Sequence, residues 1–216
     1  MKKLIVIGAG DFARESVWVA ERMNQQAPVW EILGFVDDRL VGQMVDGYPV
    51  LGNVEYLKGY PEDIWVTCAV GTGRVRKKIW TRIAGNGKIH PATLVDPSVI
   101  VGKNCEIGDG SIICAGTVLA IASKLGFSSI VNLNCTIGHD TVLEGCCTVH
   151  PGSNISGKVH IGACTDVGTG SRIIQGKKIA SGSILGAGAV VVRDIEEAGT
   201  YVGVPAHSIA AKNKRD

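Results

Sequence analysis

The sequence has little charge, and its charges nearly balance. Only 19% of the 216 residues are Asp, Glu, Lys or Arg, and the formal net charge is +2. Proteins that bind nucleic acid or anionic membranes through long-range electrostatics usually carry a larger excess of cations. The composition therefore predicts no nucleic-acid partner.

Long apolar runs are also lacking. The chain contains no run of about 18 apolar residues, so we expect no membrane-spanning helix. The run LIVI near the start has four residues before Gly8, which is too short for a signal peptide. The seven cysteines show no paired spacing, a pattern typical of reduced thiols. Together these features predict a cytoplasmic protein.

Glycine, in contrast, is abundant. It accounts for 29 of 216 residues, about 13%, against a usual share of about 7%. Much of it lies in the second half of the chain. This asymmetry indicates two domains of different construction.

The second half contains a six-residue repeat. From Val101 to Val191 every sixth residue is Val, Ile or Leu, and the position two residues earlier is small or β-branched in fifteen of sixteen hexads. A period of six does not fit an α-helix, but it is typical of a parallel β-helix in which each hexad forms a short strand and a turn. Cys105, Cys135 and Cys147 occupy the small position, so we interpret them as structural.

The first half alternates predicted strands with predicted helices. KLIVIG, EILGFVDD and DIWVTCAVG predict buried strands, and RESVWVAERM and RVRKKIWTRIAG predict helices. This alternation favours a parallel sheet with α/β layers. In GAGDFA, the residues Gly8, Gly10 and Ala13 match a turn that brings backbone amides at a helix start close to a phosphate.

The ligand of this first unit is left open by its residues. Asp37 and Asp38 end the second predicted strand, where an acidic residue meets a ribose in dinucleotide-binding folds. The unit has only about half the length of a full dinucleotide-binding domain, so one nucleotide fits better than NAD. The three alternatives are a nucleotide sugar, NAD, and a structural cap without a ligand.

His139 lies in the segment NLNCTIGHDTVLEG, outside both core positions of its hexad. A histidine exchanges protons near neutral pH, and a neighbouring carboxylate such as Asp140 can fix its tautomer. We interpret His139 as a general base, with a polar contact between subunits as the alternative. For Asp140 the alternative is capping of the turn.

Both halves of the chain resemble a known family. The hexads and the ending TYVGVPAHSI resemble the left-handed β-helix of hexapeptide-repeat acyltransferases. The stretches GAGDFARE, GFVDD, AVGTGRVRKK, GHDTVLEG and VGVPA look like those of NeuD/PglD-like sugar acetyltransferases. The resemblance implies a Rossmann-like α/β half-domain at 1–88, a left-handed β-helix at 89–194, and a closing segment and tail at 195–216. It also implies a homotrimer with active sites between subunits.

The resemblance further implies roles for individual residues. His139 is the base, Asp140 raises its basicity, and the amide of Gly157 meets the oxyanion. The implied contacts of the acyl donor, acetyl-CoA, are Thr148, Thr169 and Ala187. The implied contacts of a nucleotide-linked amino sugar are Gly10, Asp11, Phe12, Asp37, Asp38, Gly71 and Arg76. Two departures from the family are visible: a glycine–histidine pair is common where this chain has Asp11–Phe12, and glutamate is common at position 140.

We therefore expect N-acetylation of a nucleotide-linked amino sugar by direct transfer, without a metal. The alternatives are O-acetylation of a sugar hydroxyl, such as that of sialic acid, and a non-catalytic sugar-binding trimer. A three-histidine zinc site, as in γ-class carbonic anhydrases, would need His139, His150 and His160, which are 11 and 10 residues apart with no closer pair. An NAD-dependent oxidoreductase would leave the β-helix without a purpose.

Overall fold

The first unit of the chain is a sheet flanked by helices. The computed structural model describes residues 1–209, and residues 210–216 of the expected tail lie outside this range. The elements of the unit are β1 (Lys2–Ile7), α1 (Asp11–Gln26), β2 (Trp30–Val36), β3 (Met44–Val45), β4 (Tyr48–Gly52), a 3-10 helix (Val54–Gly59), β5 (Ile64–Cys68), α2 (Gly73–Ile83) and β6 (Ile89–Pro91).

The sheet has the strand order β3-β4-β2-β1-β5-β6. Its pairs are parallel except for the short hairpin of β3 and β4. The central strand β1 is apolar from Leu4 to Ile7, and these residues are at most 1% exposed because helices cover both faces of such a sheet. Since β6 belongs to this sheet, the chain leaves the α/β unit after Pro91, three residues beyond the expected limit at 88.

The second unit winds through short strands, most of them two residues long. The first six are β7 (Leu94–Val95), β8 (Ile100–Val101), β9 (Glu106–Ile107), β10 (Ile112–Ile113), β11 (Val118–Leu119) and β12 (Lys124–Leu125). The next six are β13 (Ile130–Val131), β14 (Thr136–Ile137), β15 (Val142–Leu143), β16 (Thr148–Val149), β17 (Asn154–Ile155) and β18 (His160–Ile161). The last seven are β19 (Asp166–Val167), β20 (Arg172–Ile173), β21 (Lys178–Ile179), β22 (Ile184–Leu185), β23 (Val190–Val191), β24 (Thr200–Val202) and β25 (His207–Ser208).

Three hexads make one coil, as expected. Strands three apart pair in parallel, so Leu119 pairs with Ile137, and Ile137 with Ile155, at steps of eighteen residues. The strands form three sheets, which we call the first, second and third sheet after their first members β7, β8 and β9. The turns from the first to the second sheet form the first corner of a triangular prism. The second corner joins the second and third sheets, and the third corner joins the third and first sheets.

The hexad residues fill the interior of this prism. The aliphatic residues from Ile113 to Val191 are at most 3% exposed. Val101 departs from the expected burial, being 47% exposed, because its strand β8 ends the second sheet and has a neighbour on one side only. The expected parallel β-helix is thus confirmed, with its first coil left open.

The small hexad residues carry a hydrogen-bond ladder. The hydroxyl of Thr117 donates to the carbonyl of Asn132 at 2.9 Å, and that of Thr141 to the carbonyl of Ser156 at 2.9 Å. The buried thiol of Cys147 occupies the equivalent place, and burial raises its pKa to about 12. These polar side chains therefore satisfy buried carbonyl groups at the corners, and Cys147 is structural as expected.

The α/β unit packs on the outer face of the first sheet. The outward residue of each strand precedes the aliphatic one, and in the first sheet Leu94, Ile112 and Ile130 hold this position at 0–1% exposure. They form one cluster with Val17 and Ala20 of α1. The outer face of the first sheet is therefore apolar where the α/β unit covers it.

Arg76 of α2 completes this joint. Its side chain is fully buried, and burial lowers the pKa of the guanidinium. Its donors reach five acceptors at 2.8–3.0 Å: the carbonyl groups of Val70, Gly71, Ser128 and Cys147, and the hydroxyl of Thr148. The guanidinium thus ties both units together at the third corner.

Arg76→Met should destabilise the protein strongly. The change leaves several buried carbonyl groups without a donor, each at a cost of about 1–3 kcal/mol, so we expect the free energy of unfolding to fall by about 3 kcal/mol or more. Arg14→Met is the matched control, because Arg14 is exposed and pairs with Asp46 at the surface; its loss should stay below about 1 kcal/mol. Equal losses in denaturant titrations of the two variants would show that the joint is not held by Arg76.

Candidate active site

The turn that carries His139 lies at the second corner, directly after β14. Coils on both sides hold its backbone: the amide of Gly138 donates to the carbonyl of Ile155 at 2.8 Å, and that of Asp140 to the carbonyl of Ile121 at 3.1 Å. Asp140 has a φ of 56°, a left-handed conformation that Asp and Asn adopt more readily than most residues. The turn presents His139 at the surface of the prism, with 44% of its side chain exposed.

His139 and Asp140 form a hydrogen-bonded pair. Nδ1 of His139 lies 2.8 Å from Oδ2 of Asp140. A carboxylate accepts, so this contact favours the tautomer with the proton on Nδ1 and leaves Nε2 as the unprotonated nitrogen. The shorter side chain of aspartate, compared with the family's usual glutamate, still reaches the imidazole. The pair has the geometry of an oriented general base.

Gly157 lies one coil after His139, in the same turn position. A Cβ atom placed on Gly157 would lie 2.4 Å from Nε2 of His139, closer than real Cβ contacts. Within residues 1–209, the amide of Gly157 donates no hydrogen bond, whereas the equivalent amide of Ala163 donates to the carboxylate of Glu144 at 2.9 Å. The missing side chain of Gly157 therefore leaves room for the imidazole, and its amide is an unused donor next to the unprotonated nitrogen.

The GAGDFA loop joins β1 to α1 at the carboxyl edge of the sheet. Gly8 has a φ of 94°, and Gly10 precedes α1 without a side-chain cap. The amide of Ala9 donates to Oδ2 of Asp37 at 3.0 Å, which fixes the loop to the end of β2. A Cβ atom on Gly10 would meet nothing within 4 Å. The start of the helix is therefore open to an anionic group.

The other expected nucleotide contacts differ in exposure. The side chain of Asp11 is fully exposed, whereas Phe12 is half-buried and packs against the core cluster beneath α1. Asp38 accepts hydrogen bonds from the amide of Val54 at 2.9 Å and from Arg82 at 3.1 Å. The Val54 amide and then Arg82 lower the pKa of the Asp38 carboxyl, so it is held as an anion. Asp11, Asp37 and Asp38 thus lie at the carboxyl edge of the sheet, as expected for nucleotide contacts. Phe12 serves mainly in packing.

Two of the expected ligand contacts need correction. Arg76 and Thr148 are 0% and 1% exposed. Arg76 donates to Oγ1 of Thr148 at 2.9 Å, and Thr148 donates to the carbonyl of Gly71 at 2.6 Å. Their polar groups are used within the joint, so they are not contacts of the sugar or of acetyl-CoA. A motif match cannot distinguish a ligand contact from a buried contact in the joint, because it does not show which way a side chain points.

Thr169 and Ala187 lie at the first corner, in the same turn position of successive coils. Both are exposed, and the amide of Gly188 donates to the carbonyl of Thr169 at 2.8 Å. The second sheet separates them from His139, which lies at its other edge. They therefore form a stacked surface that one chain does not bring next to its own His139.

The α/β unit and His139 lie on opposite sides of the prism. The α/β unit covers the first sheet, which runs between the third and first corners. His139 lies at the second corner, which is the corner opposite that sheet. The structure thus brings His139, Asp140 and Gly157 together and leaves the loop at Gly10 open, but it keeps these two places apart within one chain.

Asp166 lies in the joint and was not among the residues predicted from the sequence. It occupies an outward position of the first sheet, where earlier coils carry Leu94, Ile112 and Ile130. Burial raises the pKa of its carboxyl, while the amide of Gly73 at the start of α2, His150 and Arg76 oppose that rise. The available signal was a carboxylate in a column that is apolar in its first three coils, which indicates contact with a helix start.

Known protein families match both the α/β unit and the β-helix of this chain. The family model "PglD N-terminal domain" matches residues 3–83, and "Bacterial transferase hexapeptide (six repeats)" matches residues 86–120. The acetyltransferase domain of PglB from Neisseria gonorrhoeae FA1090 is 35% identical, with 97% of this chain and 100% of that chain covered and a TM-score of 0.88. The chain belongs to the NeuD/PglD-like family of sugar acetyltransferases. The triangular prism is the left-handed β-helix of this family.

Other relatives carry more specific names. PerB from Caulobacter crescentus, solved in complex with CoA and GDP-perosamine, is 27% identical, with a TM-score of 0.88 and 97% and 98% of the two chains covered. A GDP-perosamine N-acetyltransferase of Escherichia coli O157:H7 is 28% identical over 172 residues, which are 79% of this chain and 77% of the relative. The similarity therefore extends over both units of these relatives.

The part of the chain that the structure describes offers neither a group of metal ligands nor a membrane-spanning helix. In the described part of the chain, no three His, Cys, Asp or Glu residues are grouped so that they could hold a metal ion. The three histidines considered for zinc lie at different strands: His139 follows β14, His150 follows β16, and His160 belongs to β18. Neither helix within residues 1–209 is long and apolar enough to cross a membrane.

Gly157→Ala should impair turnover. The added methyl group would overlap Nε2 of His139 at 2.4 Å and force the imidazole to move; displacement of a catalytic group by about 1 Å can lower the rate about 100-fold. Gly145→Ala is the matched control in the same turn position, where the nearest atom is 3.4 Å away. If steady-state kinetics gave both variants the wild-type rate, Gly157 would have no part in shaping the site.

Proposed function

We propose that the protein transfers an acetyl group from acetyl-CoA to the amino group of a nucleotide-linked sugar, with His139 as the general base. The observation that carries this proposal is the arrangement of His139, Asp140 and Gly157, in which an oriented Nε2 lies beside an unused amide donor. Relatives support the substrates: the PglB domain has been solved with acetyl-CoA, and PerB with CoA and GDP-perosamine.

The transfer requires no covalent intermediate on the protein. The amine of the sugar attacks the thioester carbonyl carbon while Nε2 of His139 takes a proton from the amine, and Asp140 stabilises the imidazolium that forms. The carbonyl oxygen becomes an oxyanion, to which the amide of Gly157 donates. When the tetrahedral species collapses, the C–S bond breaks and the imidazolium returns the proton to the thiolate of CoA.

The complete site is proposed to combine two copies of the chain. The nucleotide loop and His139 lie on opposite sides of one prism, so an acceptor held by the loop reaches the base of a neighbouring copy. Thr169 and Ala187, at the other edge of the second sheet, are proposed to contact acetyl-CoA between the copies. In a ring of three copies, the loop side of each copy meets the His139 side of the next. All three sites are therefore equivalent.

We also propose a cytoplasmic location. The seven cysteines are all free in the structure. Burial raises the pKa of four of their thiols to about 11 or 12. Free thiols at this number are typical of a reducing compartment.

The acceptor can be identified by following release of free thiol from acetyl-CoA with UDP-, GDP- and dTDP-linked amino sugars. We expect release with one nucleotide family and the N-acetylated sugar as product. Release only with sugars that offer a hydroxyl, such as sialic acid, would replace N-acetylation by O-acetylation. Binding of a nucleotide sugar without release would favour a non-catalytic sugar-binding trimer.

Removal of the base should affect turnover more than binding. We expect His139→Asn to lower kcat by about two to four orders of magnitude, with nearly unchanged affinity for CoA. Asp140→Asn should cost less; asparagine tolerates the left-handed backbone at this position, so the turn is preserved. Wild-type kcat in the His139 variant would exclude general-base catalysis by this residue.

Gly10→Asp should abolish nucleotide-sugar binding without unfolding the protein. The new carboxylate would lie at the start of α1, where it caps the helix favourably and repels a phosphate, and its Cβ meets nothing within 4 Å. Gly10→Asn is the matched control, which adds a similar side chain without charge. Calorimetric titration with the identified acceptor should show loss of binding for the aspartate variant, and tight binding by that variant would exclude this loop as the phosphate site.

A further inference from the structure

Two cysteines are stacked on each other at the third corner of the prism. Cys146 and Cys164 occupy the same turn position of successive coils, eighteen residues apart, and no other two of the seven cysteines have this spacing. Both have left-handed backbone, with φ of 60° and 56°. Their side chains therefore leave the backbone in the same direction.

The distances around this pair fit a disulfide. The amide of Cys164 donates to the carbonyl of Gly145, the residue before Cys146, at 3.0 Å. A Cβ atom placed on Gly73 would touch both the carbonyl of Cys146, at 2.1 Å, and the Cα of Cys164, at 3.2 Å. Paired strands are spaced at about 4.8 Å, which lies within the range of about 4.4–6.8 Å between the Cα atoms of a disulfide.

The two thiols differ in accessibility. Cys164 is partly exposed and lines a cleft of about 660 Å³ together with Arg74, Lys77 and Lys78 of α2. Cys146 is 4% exposed and lines an adjoining cleft that shares Lys77. Burial raises the pKa of the Cys146 thiol, Arg76 and Lys77 oppose this rise, and the neighbouring Cys164 thiol adds to it.

The other cysteines lack this setting. The thiol of Cys147 faces the interior and donates to the carbonyl of Gly162 at 3.3 Å, and that of Cys135 donates to the carbonyl of His150 at 3.2 Å. Cys105 is partly exposed, but the positions eighteen residues before and after it hold no cysteine. Only at the third corner does an accessible thiol have a second thiol within reach.

We propose that Cys146 and Cys164 form a reversible dithiol–disulfide site that is oxidised by peroxide. The thiolate of Cys164 attacks one oxygen of hydrogen peroxide, the O–O bond breaks, and the products are a sulfenic acid on Cys164 and, after protonation, water. The thiol of Cys146 then attacks the sulfenic sulfur, its proton leaves with the hydroxyl group as a second water, and the S–S bond forms. Two thiols and one peroxide thus give one disulfide and two waters.

Mass spectrometry of the whole folded protein tests this site. After brief treatment with a small excess of hydrogen peroxide, we expect a mass loss of about 2 Da that dithiothreitol reverses. Tryptic digestion should link the segment 125–158, which contains Cys146, to the segment 159–172, which contains Cys164. Unlinked segments in protein that has consumed peroxide would overturn the proposal.

Matched variants locate the bond and identify the attacked thiol. Cys147→Ser should keep the link because serine is common at that interior position, whereas Cys146→Ser should lose it and accumulate a sulfenic acid on Cys164 that dimedone traps. Cys164→Ser should show neither product, and Cys105→Ser should behave as the wild type. Retention of the link in Cys146→Ser would assign the bond to another cysteine and contradict the proposal. If a variant fails to fold, as judged by its thermal unfolding, fragmentation of the linked wild-type peptides decides the question, because a break between Cys146 and Cys147 shows which of the two carries the bond.

Discussion

The structure depends on one constraint, the closure of each coil after eighteen residues. This repeat sets every aliphatic hexad residue on its counterpart in the next coil and fills the prism without a gap from Ile113 to Val191. The same closure places Gly157 beneath His139, although the two are eighteen residues apart in sequence. An insertion of a single residue between them would rotate the second turn out of the column and separate the imidazole of His139 from the amide of Gly157. The chemistry of the site is therefore a consequence of the packing register.

The joint between the two units follows from the same register. Outward positions of the first sheet form an apolar column in the early coils, and this column decides which face the α/β unit covers. Arg76 then fixes the α/β unit in place, because its guanidinium donates hydrogen bonds to carbonyl groups of both the α/β unit and the β-helix. Since this face lies opposite the second corner, the nucleotide loop is directed away from His139 of its own chain. The proposed assembly of a complete site between copies therefore follows from where the first sheet is apolar.

Much of this organisation could be predicted from the sequence because it is periodic or local. The hexads predict the coils, the apolar run KLIVIG predicts the central strand, and the histidine outside the core positions predicts a functional turn. The fates of Arg76 and Thr148 could not be predicted, because their motif positions are compatible with either a ligand or a buried joint. The open first coil at Val101 and the place of β6 in the sheet of the α/β unit were also missed, since both depend on which element lies next in space. Periodicity specifies the coil, whereas contacts between the units require the fold.

The central claim is that the base and the nucleotide loop of one active site come from different copies of the chain. It is tested most directly by co-assembling His139→Asn subunits with Gly10→Asp subunits, each inactive alone, and measuring acetyl transfer by the mixture. In equimolar random rings of three, about one site in four combines an intact loop with an intact base from its neighbour, so about a quarter of wild-type activity should return. If the two variants co-assemble and the mixture stays inactive, the site lies within a single chain and the account is contradicted.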